Sequence, residues 1–281
     1  MHSSRFFHAL PPALVIALQR LERLAGAIVA SFAGFCLLVL GWQMIALHNP
    51  AVPTPLDIFQ AFVHEVSNAF PARTDGNGAG DGLGWTLLVT FERLTRGFLL
   101  ALVVSLPLGF LLGRHPMLCT LCQPIMNVFR HVSPLAWVPF GLLVFDDPEA
   151  AALWTIFICA SWPMTANTAE ALRRVPADYM TLARLLDLPE RKVMLRILLP
   201  AALPQLVTGM RQGLNTAWIV IVAAELFINA RGIGSWLRAA LDDMNSGRVL
   251  LAIWMVGILG LLIDLPLMLL RRRVAAWRHV R

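Results

Sequence analysis

The chain has 281 residues, of which 58% are hydrophobic and only 14% are charged. Soluble domains are about half apolar and a quarter charged, so this composition excludes a disordered chain and argues against a soluble globule. The net charge of +6 would suit nucleic-acid binding in a soluble protein, but in so apolar a chain it indicates basic loops on the cytoplasmic side of a membrane. The sequence therefore predicts an all-α polytopic membrane protein that lies in a lipid bilayer and binds no nucleic acid.

The N-terminal part predicts a surface helix, a first membrane span and an external loop. Residues 1–23 place three arginines around a short apolar stretch, which is typical of an interfacial helix, with a cleaved signal peptide as the alternative. Residues 24–47 are too long for a signal-peptide core and lack a clear cleavage site, so they predict a retained span. Residues 48–83 are rich in proline and glycine and predict a periplasmic loop. The glycine tract at 75–82 lacks the acidic positions of a calcium loop.

Residues 84–270 contain five further apolar stretches, which brings the predicted number of transmembrane helices to six. Proline residues are expected to interrupt the second of these five stretches and to break the third near Pro163. The five predicted spans are residues 84–112, 117–145, 150–169, 203–228 and 249–270.

Six spans place both termini on one side, and the basic residues identify that side. Fifteen Lys or Arg residues fall in the loops and tails on the side of the termini, and four fall on the other side. This asymmetry predicts that both termini are cytoplasmic, including the tail at residues 271–281. The only lysine, Lys192, follows no glycine, so the chain has no Walker A motif and cannot itself bind ATP in that way.

Residues 170–200 are the most charged internal segment. Residues 177–186 are good helix formers, and Leu188-Pro189-Glu190 should break that helix. Residues 191–198 should form a second helix that ends at Pro200. Two short amphipathic helices between two spans are suited to docking in the groove of a partner protein, with a solvated loop as the alternative.

This segment resembles the cytoplasmic loop of ABC-type importer permeases, which has the form E-A-A-x3-G-x9-I-x-L-P. Here Thr181-Leu182-Ala183 is followed after three residues by Asp187, and after nine more by Ile197-Leu198-Leu199-Pro200. Thr181 stands in place of the acid, Leu182 in place of the first alanine and Asp187 in place of the glycine.

The resemblance extends over nearly the whole chain. Four segments, at 91–98, 133–139, 161–168 and 209–225, are similar to the nitrate/sulfonate/taurine branch of these permeases. The loops at 71–84 and 147–151 are most similar to nitrate permeases and their cyanate and bicarbonate relatives.

The resemblance implies a type I ABC importer permease fold and ATP-driven import of a small inorganic anion, nitrate first. Taurine or alkanesulfonate, cyanate and bicarbonate are the alternatives within the family. It implies separate ABC ATPase subunits, a second permease subunit in a homodimer, and a periplasmic or lipid-anchored substrate-binding protein, all at the bacterial inner membrane. It implies no catalytic residue, cofactor or metal in this chain. The residues it assigns to the ATPase-coupling loop are Asp178, Thr181, Ala183, Asp187, Leu188, Pro189, Glu190 and Pro200.

Polar side chains inside the predicted spans are candidates for the substrate pathway, because an oxyanion must exchange its hydration for arginine, amide and hydroxyl donors. These candidates are Arg93, Arg130, Asn167, Thr168, Gln212, Asn215 and Thr216. Hydrogen bonding between helices is the alternative for each of them. Arg93 and Arg96 could also anchor their helix at the membrane surface.

Two acids inside predicted spans are poorly suited to bind an anion. Glu225 predicts a structural ion pair, or a hydrogen bond made while protonated. Asp264 is expected to pair with an arginine of the C-terminal tail. A gradient-driven secondary carrier is the main alternative function, but the sequence contains no internal repeat that would favour it. A membrane enzyme would need a nucleophile–base arrangement that the dispersed histidines do not supply.

Overall fold

The computed structural model describes residues 12–70, 82–228 and 230–276, and all regular structure in them is helical. The helices are α1 (Pro12–His48), α2 (Pro55–Ser67), α3 (Leu83–Arg114), α4 (Pro116–His131), α5 (Pro134–Val144), α6 (Pro148–Arg173), α7 (Ala177–Leu185), α8 (Glu190–Val193), α9 (Leu199–Phe227), α10 (Ile233–Asp242) and α11 (Ser246–Ala276). A π-helical segment at Met194–Leu198 joins α8 to α9. The chain divides into two compact units, residues 1–61 and residues 62–281.

The first unit is dominated by one long helix. Helix α1 runs without interruption through residue 23, where the sequence predicted the end of a separate interfacial helix. A single helix forms because no proline or glycine stands at that point, and only its C-terminal part, Ala25–His48, is apolar enough to span a membrane. Residues 1–11 of the predicted interfacial helix lie outside the described residues. The Trp42 indole donates a hydrogen bond of 3.1 Å to the carbonyl of Pro53.

The segment predicted as an external loop contains helix α2, which the sequence analysis missed. The Thr54 hydroxyl accepts the backbone N–H of Asp57 at 3.2 Å, and the Asp57 carboxylate accepts the N–H of Thr54 at 2.9 Å. This reciprocal pair is a capping box, which stabilises a helix start by satisfying two backbone donors. Hydrogen bonds from the Thr54 hydroxyl and backbone lower the pKa of Asp57. Residues 71–81, with most of the glycine tract, lie outside the described residues.

The second unit is built around α6, which packs between α3 and α9. Ile156, Met164 and Ile221 are completely buried at the centre of this packing. Glycines allow the close approach: a Cβ on Gly109 of α3 would lie 2.4 Å from the Thr168 Cβ of α6. Small residues at such positions are what lets membrane helices pack tightly without a hydrophobic driving force between them.

Within the residues that the structure describes, four helical stretches are long and apolar enough to cross a membrane: Ala25–His48, Leu83–Arg114, Glu190–Phe227 and Ser246–Val274. The predicted spans at 117–145 and 150–169 are not among them. The first of these is divided between two short helices, α4 and α5, which meet at Val132-Ser133. The second lies in α6, where burial by neighbouring helices makes uniform apolarity unnecessary. Helix α11 continues past the predicted span end at residue 270.

The predicted break near Pro163 does not occur. Helix α6 continues from Pro148 to Arg173 with Pro163 inside it. A proline removes one backbone hydrogen bond, but a helix packed on both sides in a membrane protein tolerates this loss. One turn further along, the Asn167 side chain donates a hydrogen bond of 2.7 Å to the Pro163 carbonyl.

Candidate functional site

The loop between α6 and α9 begins with α7, and a defined turn ends that helix. Asp187 adopts a φ of 45°, in the left-handed region that glycine favours. The N–H of Leu188 then donates to the carbonyl of Ala183 at 3.1 Å. This six-to-one bond is the Schellman motif, in which a left-handed residue terminates a helix. The family pattern has glycine at this position, and the aspartate here adopts the conformation that glycine would adopt.

A small apolar core holds this loop on the ends of the long helices. Leu172, Ala183, Val193 and Leu198 are all buried in it. Leu188 packs against the same core, as expected for the hydrophobic contact that accompanies a Schellman turn. The other residues that the resemblance assigned to the loop are exposed: Asp178, Thr181, Asp187, Pro189, Glu190 and Pro200. The loop therefore presents a polar outer surface on an apolar base.

The second helix of the loop does not end at Pro200, as the sequence predicted. It continues from Glu190 to Phe227 as one 38-residue helical stretch. The π-helical segment ends two residues before Pro200, and the Leu199 N–H bonds to the Met194 carbonyl five residues earlier. A wider turn at this point accommodates the proline ring, which would otherwise collide with the preceding carbonyls. The Glu190 carboxylate also accepts a hydrogen bond of 2.7 Å from Arg114 at the end of α3.

The turn at Asp187 gives a first testable result. Asp187→Gly should leave the loop as stable or more stable, because glycine adopts positive φ without steric cost. Asp187→Val should destabilise it by about 1–2 kcal/mol. Hydrogen exchange at the Leu188 amide measures this locally, since that amide bonds Ala183 across the turn. Equal protection of the Leu188 amide in both variants would contradict the assignment.

Polar residues of α6 and α9 face each other at the surface of the single chain. The Asn167 side chain donates to the Gln212 carboxamide at 2.8 Å, and the Thr216 hydroxyl donates to the Gln212 backbone carbonyl at 3.0 Å. Gln212 and Thr216 line a cavity of about 170 Å³ together with Arg130 from the end of α4. The structure thus brings four of the seven predicted pathway residues together, three in the cavity wall and Asn167 one hydrogen bond away.

Two other predicted pathway residues lie elsewhere. Thr168 is buried against the glycine face of α3. Asn215 donates a hydrogen bond to the Asp264 carboxylate of α11. Asp264 pairs through both oxygens with Arg211 of α9, one of them at 2.5 Å from Nε, and not with a tail arginine as predicted. Arg211 is the nearer partner because α9 and α11 pack side by side.

Arg93, the seventh, lies in a buried ion-pair group at the opposite end of α9 from the loop. Its Nη1 donates to Glu225 at 2.5 Å, its Nε donates to Glu149 at 2.9 Å, and its Nη2 also bonds Glu149. Thr90 donates to Glu225 at 3.0 Å, and the Gly234 N–H donates to Glu225 at 3.0 Å. We call these five residues (Thr90, Arg93, Glu149, Glu225 and Gly234) the Arg93 cluster. Arg93 and Glu225, which the sequence assigned to different roles, are partners here.

The Arg93 cluster joins four helices at one end of the unit. Arg93 is 2% exposed and Glu225 is completely buried, whereas Glu149 is 49% exposed. Two carboxylates neutralise one guanidinium, so this arginine offers no free positive charge to a substrate in this conformation. Sequence reasoning missed Thr90, Glu149 and Gly234. The sequence shows an acid in the first turn of α6 and a glycine in the first turn of α10, but only packing makes Glu149 and Gly234 neighbours.

Gly232 is the tightest point beside this cluster. A Cβ added there would lie 2.1 Å from the carboxyl carbon of Glu225 and 2.2 and 2.3 Å from its two oxygens. Gly232→Ala should therefore displace the carboxylate and lower the free energy of unfolding by about 2 kcal/mol or more. Gly257→Ala is the matched control, because its added Cβ meets nothing within 4 Å. Thermal unfolding in detergent measures both, and equal melting temperatures would refute the crowding argument.

Comparison with known proteins agrees with this architecture. Residues 105–278 match the family model of the binding-protein-dependent transport system inner membrane component. The chain is 34% identical over 238 residues to the nitrate import permease protein NrtB of Leptolyngbya laminosa, a match that covers 85% of this chain and 84% of the relative. It is 32% identical over 249 residues to the bicarbonate transport system permease protein CmpB of Synechococcus elongatus, covering 88% and 89%.

A solved structure has the same fold. The chain is similar to the MetNI methionine ABC transporter in an inward-facing conformation, with a TM-score of 0.61 at 20% identity. The match covers 68% of this chain and 95% of that one. The fold is thus that of a type I ABC importer permease. With the family match over residues 105–278, the chain belongs to the binding-protein-dependent transport system inner membrane components, the permease subunits of ABC importers.

Proposed function

We propose that this permease imports a small inorganic anion, nitrate first and bicarbonate as the alternative. The observation that carries the proposal is the cavity of about 170 Å³ bordered by Arg130, Gln212 and Thr216. Among the described residues that line it, none is Asp or Glu. A site that combines one guanidinium with amide and hydroxyl groups and excludes carboxylates favours an oxyanion over a cation or a zwitterion.

The relatives support the same class of substrate. One is named a nitrate import permease and the other a bicarbonate transport permease, and the two are almost equally similar to this chain. Nitrate and bicarbonate are both planar, singly charged oxyanions, and they differ in that bicarbonate carries one O–H donor. Gln212 and Thr216 offer acceptor oxygens as well as donors. Taurine, alkanesulfonates and cyanate are further candidates within the family.

The assembly follows from the importer architecture. ATPase subunits and a substrate-binding protein are its partners, and we propose that two copies of this chain enclose the pathway. Arg130 and Gln212 are exposed in the single chain, as residues that face an aqueous path between two copies would be. The exposed outer surface of the coupling loop would then meet the ATPase in the cytoplasm, with both termini on that side.

Arg130 is the residue whose replacement should affect uptake most directly. Arg130→Gln removes the positive charge and keeps much of the side-chain volume, and uptake should fall about tenfold or more, because charge-assisted hydrogen bonds contribute roughly 1.5–3 kcal/mol. Arg96→Gln is the control, since Arg96 is exposed on α3 and bonds Glu92. The amount of copurified ATPase should be unchanged in both variants. Uptake by Arg130→Gln at the level of Arg96→Gln would remove Arg130 from the pathway.

The substrate is tested by reconstitution of the complete transporter in liposomes. Labelled nitrate and bicarbonate are offered with the binding protein, each in competition with unlabelled nitrate, bicarbonate, cyanate, taurine and an alkanesulfonate. Accumulation of nitrate or bicarbonate that requires ATP supports the proposal. Accumulation of a sulfonate alone contradicts the inorganic-anion assignment, and accumulation without ATPase subunits supports the secondary-carrier alternative instead.

A further inference from the structure

A second, larger cavity lies beside the first along helix α6. The first cavity is bordered by Cys159 and Pro163 of α6. The second, of about 410 Å³, is bordered by residues between 166 and 174, at the end of α6, and by the facing side of α4. At about 1.5 Å per helical residue, the second cavity lies roughly 10–15 Å nearer the coupling loop. Arg130 borders both cavities, so one guanidinium stands between them.

The second cavity carries an excess of positive charge. Of the described residues in its wall, Arg130, Arg173 and Arg174 are basic and Glu170 is the one acid. Glu170 bonds Arg174 at 2.6 Å. In the described part of the chain, Arg173 has no carboxylate partner, and its Nη1 contacts the Cys119 sulfur at 3.5 Å. Two guanidinium charges are thus left without a neutralising acid in one polar cavity.

Amide side chains complete the lining. Gln123 and Asn127 of α4 lie on the same wall as Arg130, one helical turn apart from each other. Amides and guanidiniums together supply several N–H donors, and the guanidinium can bind an oxyanion through two parallel hydrogen bonds. A cavity with this lining suits a small oxyanion better than a cation, which the arginines would repel, or an apolar molecule.

We infer that Arg130 and Arg173, with Arg174 paired to Glu170 beside them, form a second anion site, which receives the transported oxyanion from the first cavity before it leaves toward the cytoplasm. The inference rests on the proposed anion transport and adds the inner half of the route. Arg130 belongs to both sites, so the anion passes from one set of donors to the next without losing contact with positive charge. Two sites that share a group also prevent either from holding the anion too tightly.

The site is tested by the charge preference of a cysteine placed in its wall. In the permease–ATPase complex with its four native cysteines replaced by alanine, Gln123→Cys is labelled with an anionic and a cationic methanethiosulfonate of similar size. Thr120→Cys, exposed on the same helix and outside the lining, is the matched control. The ratio of the anionic to the cationic labelling rate should be about threefold or more higher at position 123 than at position 120. The reason is Coulomb attraction between the anionic reagent and the arginines across a partly hydrated cavity. Arg173→Gln should reduce this excess.

Protection of this cysteine from labelling by added anions then identifies the ligand. In nanodiscs of phosphatidylcholine, added nitrate or bicarbonate should slow labelling of Gln123→Cys by the anionic reagent, whereas chloride at the same concentration should slow it less. Protection seen only when phosphatidylglycerol is present would overturn the inference, because a lipid headgroup would then be the occupant. Equal rate ratios at positions 120 and 123, or a ratio unaffected by Arg173→Gln, would also overturn it.

The labelling experiment does not require transport, so its result is independent of the result of the uptake assay. Protection by nitrate or bicarbonate without accumulation in liposomes would support the site and refute the transport proposal. Accumulation without protection would refute the site and leave the transport proposal standing.

Discussion

Glu225→Gln is expected to lower the free energy of unfolding by roughly 3 kcal/mol or more. The substitution removes the charge of a completely buried carboxylate and leaves the guanidinium of Arg93 buried with only the half-exposed Glu149 as a charged partner. Breaking one side of a buried ion pair is costly because the remaining charge stays out of water. The measurement is reversible unfolding of the purified permease in mixed micelles, followed by helix content.

Glu92→Gln is the matched control for this variant. Glu92 makes the same kind of bond, to Arg96 at 2.5 Å four residues along α3, but both side chains are more than half exposed. Such pairs contribute about 0–1 kcal/mol, so this variant should unfold almost like the wild type. Similar destabilisation by the two glutamine variants would mean that burial of the Arg93 cluster has no energetic consequence.

Ala183→Glu is expected to abolish the association with the ATPase while the membrane helices stay folded. Ala183 is 3% exposed and packs with Leu172, Val193 and Leu198. A glutamate there would place an unpaired charge in an apolar core, which costs several kcal/mol, and the loop would unfold to hydrate it. The copurified ATPase, measured per permease on an affinity column, should fall by at least about tenfold.

Thr181→Glu places the same side chain two residues earlier, where the position is exposed. It also restores the acid that the family pattern has at this point. The ATPase should therefore copurify with Thr181→Glu as well as with the wild type or better. If Ala183→Glu retained the ATPase at the wild-type ratio, the loop would not be the docking element, whatever the behaviour of Thr181→Glu.

The loop between α6 and α9 and the Arg93 cluster lie at opposite ends of one continuous helical stretch. The helical stretch Glu190–Phe227 begins in the coupling loop and carries Glu225 in its last turn. At about 1.5 Å per residue it is roughly 57 Å long, well beyond the hydrocarbon thickness of a bilayer. In the proposed assembly, a displacement of the loop would be transmitted along this helical stretch to the Arg93 cluster, past the π-helical segment, Pro200 and Pro204.

The sequence alone determined the features that depend on local pattern. Apolar runs indicated membrane helices, and the structure confirms an all-helical chain. The cytoplasmic orientation, from the clustering of basic residues, and the docking role of the loop from Thr181 to Pro200, from the family resemblance, stay predictions. The family resemblance placed Asp187 at a glycine position, and the structure shows that this residue adopts the left-handed conformation that glycine favours. The prediction that a helix ends at Pro200 was wrong for a local reason. A π-helical turn precedes this proline, and the helix continues through it.

Only the tertiary structure decided which polar groups meet. Glu225 forms an ion pair with Arg93, which is 132 residues away in the sequence, and Arg211 forms one with Asp264, which is 53 residues away. The sequence requires that a buried charge have a partner, but it does not name the partner, because that depends on which helix faces pack together. The same packing places Arg130 between two cavities. The periodicity of a sequence predicts the faces of single helices, but it does not predict the size of a cavity between several helices.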